Sequence, residues 1–370
     1  MFGLRRGLRA TIAALAIGAV TLSGCADWDA SPAATSSDLR EQVATAKERP
    51  DPRELEGVVD IDTIAEVEPV ADDPEPDLPV SVTDGDGYDV TIEDVSRILP
   101  LDLYGSYSKT ISGLGLGDNI VGRTVSSTEP SLADLPVVTQ GGHNLNVEAI
   151  LELDPTLVMI DHSIGPREAI DQIRDAGITT VIMQPERKLD TIAEDIMQVA
   201  QTVGLPDEGK KLGEQSQADL DASLSAIDNL KPDEPMRVAF VYARGTGGVF
   251  FILGPEEGTD ELIEGVGAID AAKEAGITDL VPATAEALAD LNPDAFIMMT
   301  KGLDSTGGIE GLLERPGVAQ TTAGQKQRIV TLPDGDSLAF GPMAGEVLLR
   351  TAAGLYDPSL LGEDAAGAAN

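Results

Sequence analysis

The stretch Thr156-Leu157-Val158-Met159-Ile160 predicts a short strand, because an apolar run of this length is typical of a strand buried in a parallel sheet. A helical pattern covers residues 168–176 and ends at Gly177, and a second strand pattern follows over residues 179–183. This order of strand, helix and strand predicts a βαβ unit, in which the helix covers one face of two parallel strands.

The same alternation returns in the second half of the chain, after a long helical pattern over residues 207–231. Strands are predicted there at residues 237–242, 250–253, 294–299 and 328–332, with helices at 260–265 and 343–356. We therefore predict an α/β protein with two Rossmann-like lobes, each built on a parallel sheet, joined by one long helix. Because ligands bind beyond the carboxyl ends of parallel strands, the ligand cleft is predicted between the lobes.

The first 24 residues are typical of a secretory signal peptide. Three arginines precede an uncharged apolar run over residues 10–22, which is too short to span a bilayer. The segment ends in Leu22-Ser23-Gly24-Cys25, the pattern of a bacterial lipobox, in which the cysteine is acylated. The alternative is an ordinary secretory peptide with an incidental cysteine, but Cys25 is the only cysteine of the chain. We predict a lipid anchor at Cys25 on the outer side of the cytoplasmic membrane.

Charge and composition divide the rest of the chain. With 64 acidic against 25 basic residues the protein repels nucleic acid, and we expect no nucleic-acid partner. Residues 25–96 are acidic and poor in large apolar side chains, which predicts a disordered tether or, alternatively, a metal-buffering segment. Residues 88–96, at the end of this segment, are a candidate edge strand of the lobe that follows. We predict an N-terminal lobe over residues 97–206, the linking helix over 207–231, a C-terminal lobe over 232–360 and a flexible tail over 361–370.

The sequence contains no pattern that is typical of an enzyme. It has no G-x-S-x-G elbow, no Walker loop and no dinucleotide-binding glycine fingerprint between a strand and a helix. Gly245-Thr246-Gly247-Gly248 lies between two predicted strands, which favours a hairpin turn over a phosphate-binding loop. We therefore expect a binding protein without catalysis, with an enzyme or a structural surface lipoprotein as alternatives.

Two histidines and one tyrosine are the candidate metal ligands. His143 lies in a glycine-containing loop, His162 follows the 156–160 strand, and Tyr242 ends a strand of the other lobe, with Arg244 two residues later. Two distant histidines cannot form a multi-histidine site, so a metal would need a macrocycle that supplies most of its ligands. A phenolate suits ferric iron, and a nearby cation favours its charged form. Alternatively, Tyr242 is only a strand-end aromatic with its hydroxyl in water.

Nine short stretches of the chain carry a family resemblance: Val121–Thr124, Leu135–Val138, Leu145–Glu148, Leu153–Pro155, Gly245–Val249, Ala285–Leu288, Asn292–Asp294, Arg315–Thr321 and Phe340–Pro342. Through them, from about Gly122 to Tyr356, the chain resembles the haem-binding lipoproteins of bacterial haem ABC importers, which belong to the helix-linked class that also binds siderophores and cobalamin. Met343 and residues 276–280 depart from the pattern, because the subgroup commonly has an arginine at the first position and relatives often place an aromatic residue in the second segment.

The resemblance implies that His143 and Tyr242 are the two axial ligands of ferric haem, one from each lobe. It also implies that Arg244 hydrogen-bonds the tyrosine oxygen, and that Met299 lines the porphyrin, with Met298 and a core role for either methionine as alternatives.

The resemblance further implies that Glu148 and Glu264 dock the protein on arginines of an ABC permease dimer, although Glu261 lies close to the second. Its implied partners are haem, the permease, the membrane through the lipid anchor and upstream haem-donor surface proteins. A ferric siderophore or corrinoid is the alternative ligand.

Overall fold

The computed structural model describes residues 35–46, 49–62 and 64–362. The predicted signal peptide, Cys25 and residues 363–370 of the predicted tail lie outside the described residues. Within the described ranges, no helix is both long enough and apolar enough to cross a membrane.

The strands and helices alternate along the chain. The strands are β1 Val58–Asp60, β2 Val80–Thr83, β3 Asp89–Ile92, β4 Ile98–Leu101, β5 Thr139–Gln140, β6 Asn144–Leu145, β7 Leu157–Ile160, β8 Thr180–Ile182, β9 Arg237–Arg244, β10 Val249–Ile252, β11 Ile269–Asp270, β12 Val281–Pro282, β13 Ala295–Met299 and β14 Ile329–Leu332. The α-helices are α1 Ser36–Thr45, α2 Ser106–Gly113, α3 Val147–Glu152, α4 Arg167–Asp175, α5 Ile192–Thr202, α6 Pro206–Leu230, α7 Thr259–Gly265, α8 Ala271–Glu274, α9 Ala285–Leu291, α10 Thr300–Ser305, α11 Gly308–Leu313, α12 Thr322–Gln325 and α13 Ala344–Tyr356.

The N-terminal lobe is built on a parallel sheet of three strands in the order β4-β7-β8. All four residues of β7 are buried, as the apolar run from Leu157 predicts. Helix α4 between β7 and β8 turns Ile170 and Ile173 inward, and Gly177 follows its end with a positive φ of 86°. The βαβ unit predicted from this stretch is confirmed.

The C-terminal lobe is built on a larger sheet in the order β1-β14-β13-β9-β10-β12, with β11 also paired to β9. Strands β1, β14, β13, β9 and β11 are parallel, whereas β10 and β12 are antiparallel to their neighbours. The pairing of Arg244 with Val249 places residues 245–248 in a hairpin turn, so the predicted turn is confirmed. The α/β fold with parallel sheets is confirmed as a class, with this antiparallel edge as an addition.

Helix α6 has 25 residues and connects the two lobes. Its buried face includes Leu212, Leu220 and Ile227, and it packs against α5 and α13. Gly209 permits the close approach of α5, because a Cβ there would lie 2.3 Å from the Cβ of Ala200. The long connecting helix is therefore held along its length by neighbours from both halves of the chain.

The prediction of a disordered tether is wrong for the described residues between 35 and 96. Leu39 and Val43 of α1 are each 1% exposed and belong to the main core, where α1 contacts α6 and α13. Arg40 forms an ion pair of 2.6 Å with Asp219 of α6, and Thr35 and Asp38 form a capping box. The acidic composition of the segment does not indicate this order, because two apolar residues four positions apart are enough to attach a short helix.

The same segment also crosses from one lobe to the other. Strand β1 is an edge of the C-terminal sheet, whereas the β2–β3 hairpin lies on the N-terminal lobe, where Gly85 N donates to Ile182 O at 2.7 Å. Between them Ala65 N donates to Glu346 Oε1 at 3.3 Å, and Val70 N donates to Gly113 O at 2.9 Å. We call residues 61–62 and 64–79 the strap. The lobes are joined by α6 and by the strap, so the prediction of a single connection is incomplete.

Candidate functional site

Tyr242 and Arg244 lie together at the carboxyl end of β9. Strand alternation places both on one face. Val241, which precedes Tyr242, and Ala243, which lies between the two residues, are buried on the other face. The Arg244 guanidinium carbon lies 4.6 Å from the centre of the Tyr242 ring, a cation–π distance. Among the described residues the Tyr242 hydroxyl has no hydrogen-bond partner, so its oxygen is free to bind a ligand.

The Arg244 guanidinium is held by three groups of the C-terminal lobe. Its Nη2 lies 2.5 Å from Asp334 Oδ1 and 3.3 Å from Met299 Sδ, and its Nη1 donates to Ala243 O at 3.1 Å. Gly302 leaves space for it, because a Cβ there would lie 2.8 Å from Nη1. These contacts place the positive charge over the ring face of Tyr242 and leave the hydroxyl oxygen unobstructed.

The two adjacent methionines have different environments. Met298 is fully buried in the core of the C-terminal lobe, whereas Met299 is half-buried at the end of β13 and touches Arg244. Because strand residues alternate between faces, only Met299 can lie beside Arg244 and Tyr242.

His143 lies in the turn between β5 and β6 and is exposed. Gly141 and Gly142 precede it with positive φ values of 60° and 95°, which only glycine adopts readily. Its carbonyl accepts from Gly165 N at 3.0 Å, while its imidazole makes no hydrogen bond within the described ranges. The backbone of the turn is thus fixed and the imidazole remains free for a ligand.

His162, the competing histidine, is engaged in an ion cluster. Its Nε2 lies 2.9 Å from Asp86 Oδ1, and Asp86 also pairs with Arg167 and Arg174 at 3.2 and 3.3 Å. The hydrogen bond from His162, followed by the nearby positive charges, lowers the pKa of Asp86 despite an opposing effect of desolvation. In the described part of the chain no group of three or more histidine, cysteine and acidic side chains could hold a metal ion.

A buried polar network lies at the carboxyl ends of β4 and β7, and sequence reasoning missed it. Tyr107 donates from its hydroxyl to Asp161 Oδ2 at 2.6 Å, and Arg187 pairs with the same carboxylate. Asp102 accepts from Ser106 N and Oγ at 2.9 and 2.7 Å, while its Oδ1 is buried with no partner among the described residues. Burial, and then the charge of Asp161, raises the pKa of Asp102. The available signal was that Asp102 and Asp161 each directly follow a buried strand.

Two cavities lie where the lobes meet. One of about 310 Å³ is bounded by the strap, Lys109 and Pro130 on one side and by Lys301 and Asp334 on the other. The second, of about 330 Å³, is lined from the two lobes by Tyr104, Arg187, Lys188, Glu257, Gly258 and Phe340, among others. Each is of the size in which proteins hold small molecules, so space for a ligand exists between the lobes. His143, Tyr242 and Arg244 do not line either cavity.

The two candidate docking glutamates lie in short helices of different lobes. Glu148 is exposed in the first turn of α3, and Glu264, in α7, is half exposed and pairs with Lys273 at 2.8 Å. Glu261 already has a hydrogen-bond partner within the protein, because its Oε2 accepts from Leu189 N of the opposite lobe at 2.9 Å. Glu261 is thus held by the opposite lobe, whereas Glu264 pairs only with Lys273 of its own lobe among the described residues.

Comparison with known proteins gives consistent results. The family model described as periplasmic binding protein matches residues 102–335. The uncharacterized ABC transporter substrate-binding lipoprotein YvrC of Bacillus subtilis (strain 168) is 27% identical over 281 residues, which cover 75% of this chain and 86% of that protein.

Solved structures agree with this family. The crystal structure of the heme binding protein HmuT is 63% identical with a TM-score of 0.82, covering 83% of this chain and 100% of that one. The periplasmic heme-binding protein RhuT from Roseiflexus sp. RS-1, solved in its apo form, is 35% identical with a TM-score of 0.67, covering 72% of this chain and 100% of that one.

Proposed function

Because this chain belongs to the periplasmic binding protein family, we propose that it captures ferric haem between its lobes and delivers it to an ABC permease. Haem is the ligand of this chain. The observation that carries this conclusion is its 63% identity, over 83% of its length, to a solved haem-binding protein of the same fold.

For the axial ligands we propose His143 and Tyr242. Structures of the HmuT protein are known in which one histidine, one tyrosine or one arginine has been replaced by alanine. In that protein the tyrosine follows the histidine by 99 residues and the arginine follows the tyrosine by two, as Tyr242 and Arg244 follow His143 here. This equal spacing supports the assignment of all three residues to the haem site.

The chemistry of the two side chains fits this role. The porphyrin supplies four nitrogen ligands, so the protein needs to provide only the two axial ones, which suits a chain without a cluster of metal-binding side chains in its described part. A tyrosine oxygen free of protein partners can bind ferric iron as phenolate, and the Arg244 guanidinium lies over the same ring. Met299, next to Arg244, is our proposed porphyrin contact on the same side.

For delivery we propose that Glu148 and Glu264 pair with arginines of the two permease subunits. Charges at the rim of an interface mainly set the encounter rate and the docking orientation. In this proposal acylated Cys25 keeps the protein at the outer face of the cytoplasmic membrane, and haem-donor surface proteins supply the haem. The protein itself binds and transfers, with no catalytic step.

Haem titration of purified protein tests the ligand assignment. Wild-type protein should give a sharpened Soret band with a tyrosinate-to-iron charge-transfer band. Tyr242→Ala should lose most haem retention, and His143→Ala should change the spectrum with a smaller loss of affinity. His162→Ala is the matched control and should behave like wild type, because that imidazole is engaged by Asp86.

A larger effect of His162→Ala than of His143→Ala would show that the N-terminal ligand is misassigned. The proposal as a whole would be contradicted if the wild-type protein left the absorption spectrum of added haem unchanged and bound a ferric siderophore or a corrinoid instead.

A further inference from the structure

Lys109 is a buried cation that joins the two lobes. It lies on α2 of the N-terminal lobe, is 4% exposed, and lies 4.0 Å from Glu129 of its own lobe. Its Nζ also donates to Gly335 O at 2.9 Å and lies 3.3 Å from Asp336 Oδ1, both in the C-terminal lobe. Because a buried ammonium needs its partners, separation of the lobes must disturb this contact.

Gly335 and Asp336 belong to a short loop, Pro333-Asp334-Gly335-Asp336-Ser337, which follows β14 and which we call the 333–337 loop. It is braced internally, because Asp336 N and Ser337 N both donate to Pro333 O, at 3.0 and 3.1 Å. It also fits tightly against the other lobe, since a Cβ at Gly335 would lie 2.1 Å from Ser126 O. A loop of this kind moves as a unit when its outer contacts change.

Asp334 connects this loop to the tyrosine. Its Oδ1 lies 2.5 Å from Arg244 Nη2, and its Oδ2 accepts from Lys301 N at 3.0 Å. The guanidinium that it holds lies over the ring of Tyr242. The same five-residue loop therefore contacts Lys109 of the N-terminal lobe on one side. On its other side it holds Arg244 beside Tyr242 through Asp334.

We infer that the 333–337 loop couples closure of the lobes to the position of Arg244, and we call this coupling the relay. When the lobes are closed, Lys109 contacts the loop, and Asp334 within the loop holds Arg244 over Tyr242. Lys109 and Asp334 are positioning residues in this account, because neither contacts the iron. When the permease draws the lobes apart, loss of the Lys109 contact displaces the loop and Arg244 with it, which weakens the tyrosine–iron bond. The inference rests on the proposed function and adds the step that couples opening to release.

The test combines Lys109→Met and Asp334→Asn in a double-mutant cycle on the haem-loaded full chain. The readouts are the rate of haem transfer to excess apomyoglobin and the position of the tyrosinate charge-transfer band. Each single variant should raise the transfer rate about tenfold, as expected for the loss of one hydrogen bond to a charged group, and should shift the band. The double variant should add little, because both act through one loop. Lys109→Arg should restore most of the wild-type behaviour.

Exposed Lys210→Met and Asp304→Asn are the matched controls and should leave the rate and the band unchanged. Fast transfer from Lys109→Met with an unshifted band would overturn the relay, because Lys109 would then only hold the lobes together. Full additivity in the double variant would overturn it as well. If Lys109→Met does not fold, Gly335→Ala replaces it, since the added methyl group must move the loop from Ser126.

A measurement without haem separates the relay from the proposed function. In the haem-free protein the side-chain NMR signal of Arg244 should shift in Lys109→Met and stay unchanged in Lys210→Met. An unshifted signal would contradict the relay while leaving haem binding intact. Absence of the tyrosinate band from loaded wild-type protein would instead contradict the assignment of Tyr242.

Discussion

At the scale of single residues, the site depends on how one guanidinium is placed beside one phenol. Sequence spacing leaves open whether Tyr242 and Arg244 share a face, because the strand is predicted to end at Tyr242. In the structure β9 continues to Arg244, so strand alternation places both on one face. Asp334, which holds the guanidinium, is 90 residues away in sequence and could not be predicted from local patterns. The charge partners of a strand-end residue are set by which loops the sheet brings alongside it, and that requires the fold.

Gly302→Ala should weaken haem binding about fivefold, because loss of a favourable cation position near an aromatic ring costs about 1 kcal/mol. The new Cβ would lie 2.8 Å from Arg244 Nη1 and must displace it. Haem titration checks this expectation. Gly248→Ala is the matched control, since a Cβ there meets nothing within 4 Å. Equal affinities for the two variants would contradict the role given to the guanidinium position.

At pH values above the raised pKa of Asp102, Asp102→Asn should stabilise the protein by roughly 1–2 kcal/mol, because it removes a buried charge. Burial raises the folded-state pKa of Asp102 above its unfolded value. A raised pKa means that the folded state binds the proton more tightly, so ionisation lowers wild-type stability as pH rises through that pKa. The advantage of Asp102→Asn should therefore shrink as pH falls toward 4. Urea unfolding across this pH range measures the difference, and a pH-independent difference would argue against this cause.

At the scale of elements, long apolar patterns predict structure well and short acidic segments do not. The βαβ unit from β7 to β8, the helix α6 and the β9–β10 hairpin follow from periodicity and turn residues. Sequence alone predicts a tether over helix α1 and strand β1, because the composition there resembles that of disordered chain. Their order comes from a few apolar contacts with α6, α13 and β14, which are distant in sequence.

Leu39→Ala and Val43→Ala each test whether α1 is part of the folded unit. Both side chains are 1% exposed in the main core, so each truncation should lower the free energy of unfolding, by about 2–4 kcal/mol for Leu39 and less for Val43. Urea denaturation provides the measurement. Exposed Val125→Ala is the control and should change stability little. Unchanged midpoints for both core variants would mean that α1 does not pack on the lobes in solution.

At the scale of the whole molecule, the proposed function places two events on different surfaces, haem capture in the cleft and docking through the two helices α3 and α7. Glu148 and Glu264 lie outside the Tyr242 and Arg244 cluster, and neither contacts it. The two events should therefore be separable by mutation. In the proposed docking, a permease arginine replaces Lys273, which also pairs with Asp260, as the partner of Glu264.

Glu148→Lys and Glu264→Lys should each reduce haem-dependent growth or uptake while leaving the Soret titration unchanged, and the double variant should abolish uptake. The reversed charge repels an arginine on the permease and slows the encounter. Glu152→Lys, an exposed neighbour in α3, is the control for charge reversal alone. Normal uptake by the double variant would show that the permease recognises another surface.

The strap has a mechanical consequence for how such a molecule opens. A body suspended at one point can swing and twist in any direction, whereas a body suspended at two points turns only about the line that joins them. Because α6 and the strap both cross between the lobes, we expect the lobes to turn mainly about the line that joins these two crossings, with little sideways slippage or torsion. In the proposed function, haem would then leave at the rim of the cleft farthest from that axis.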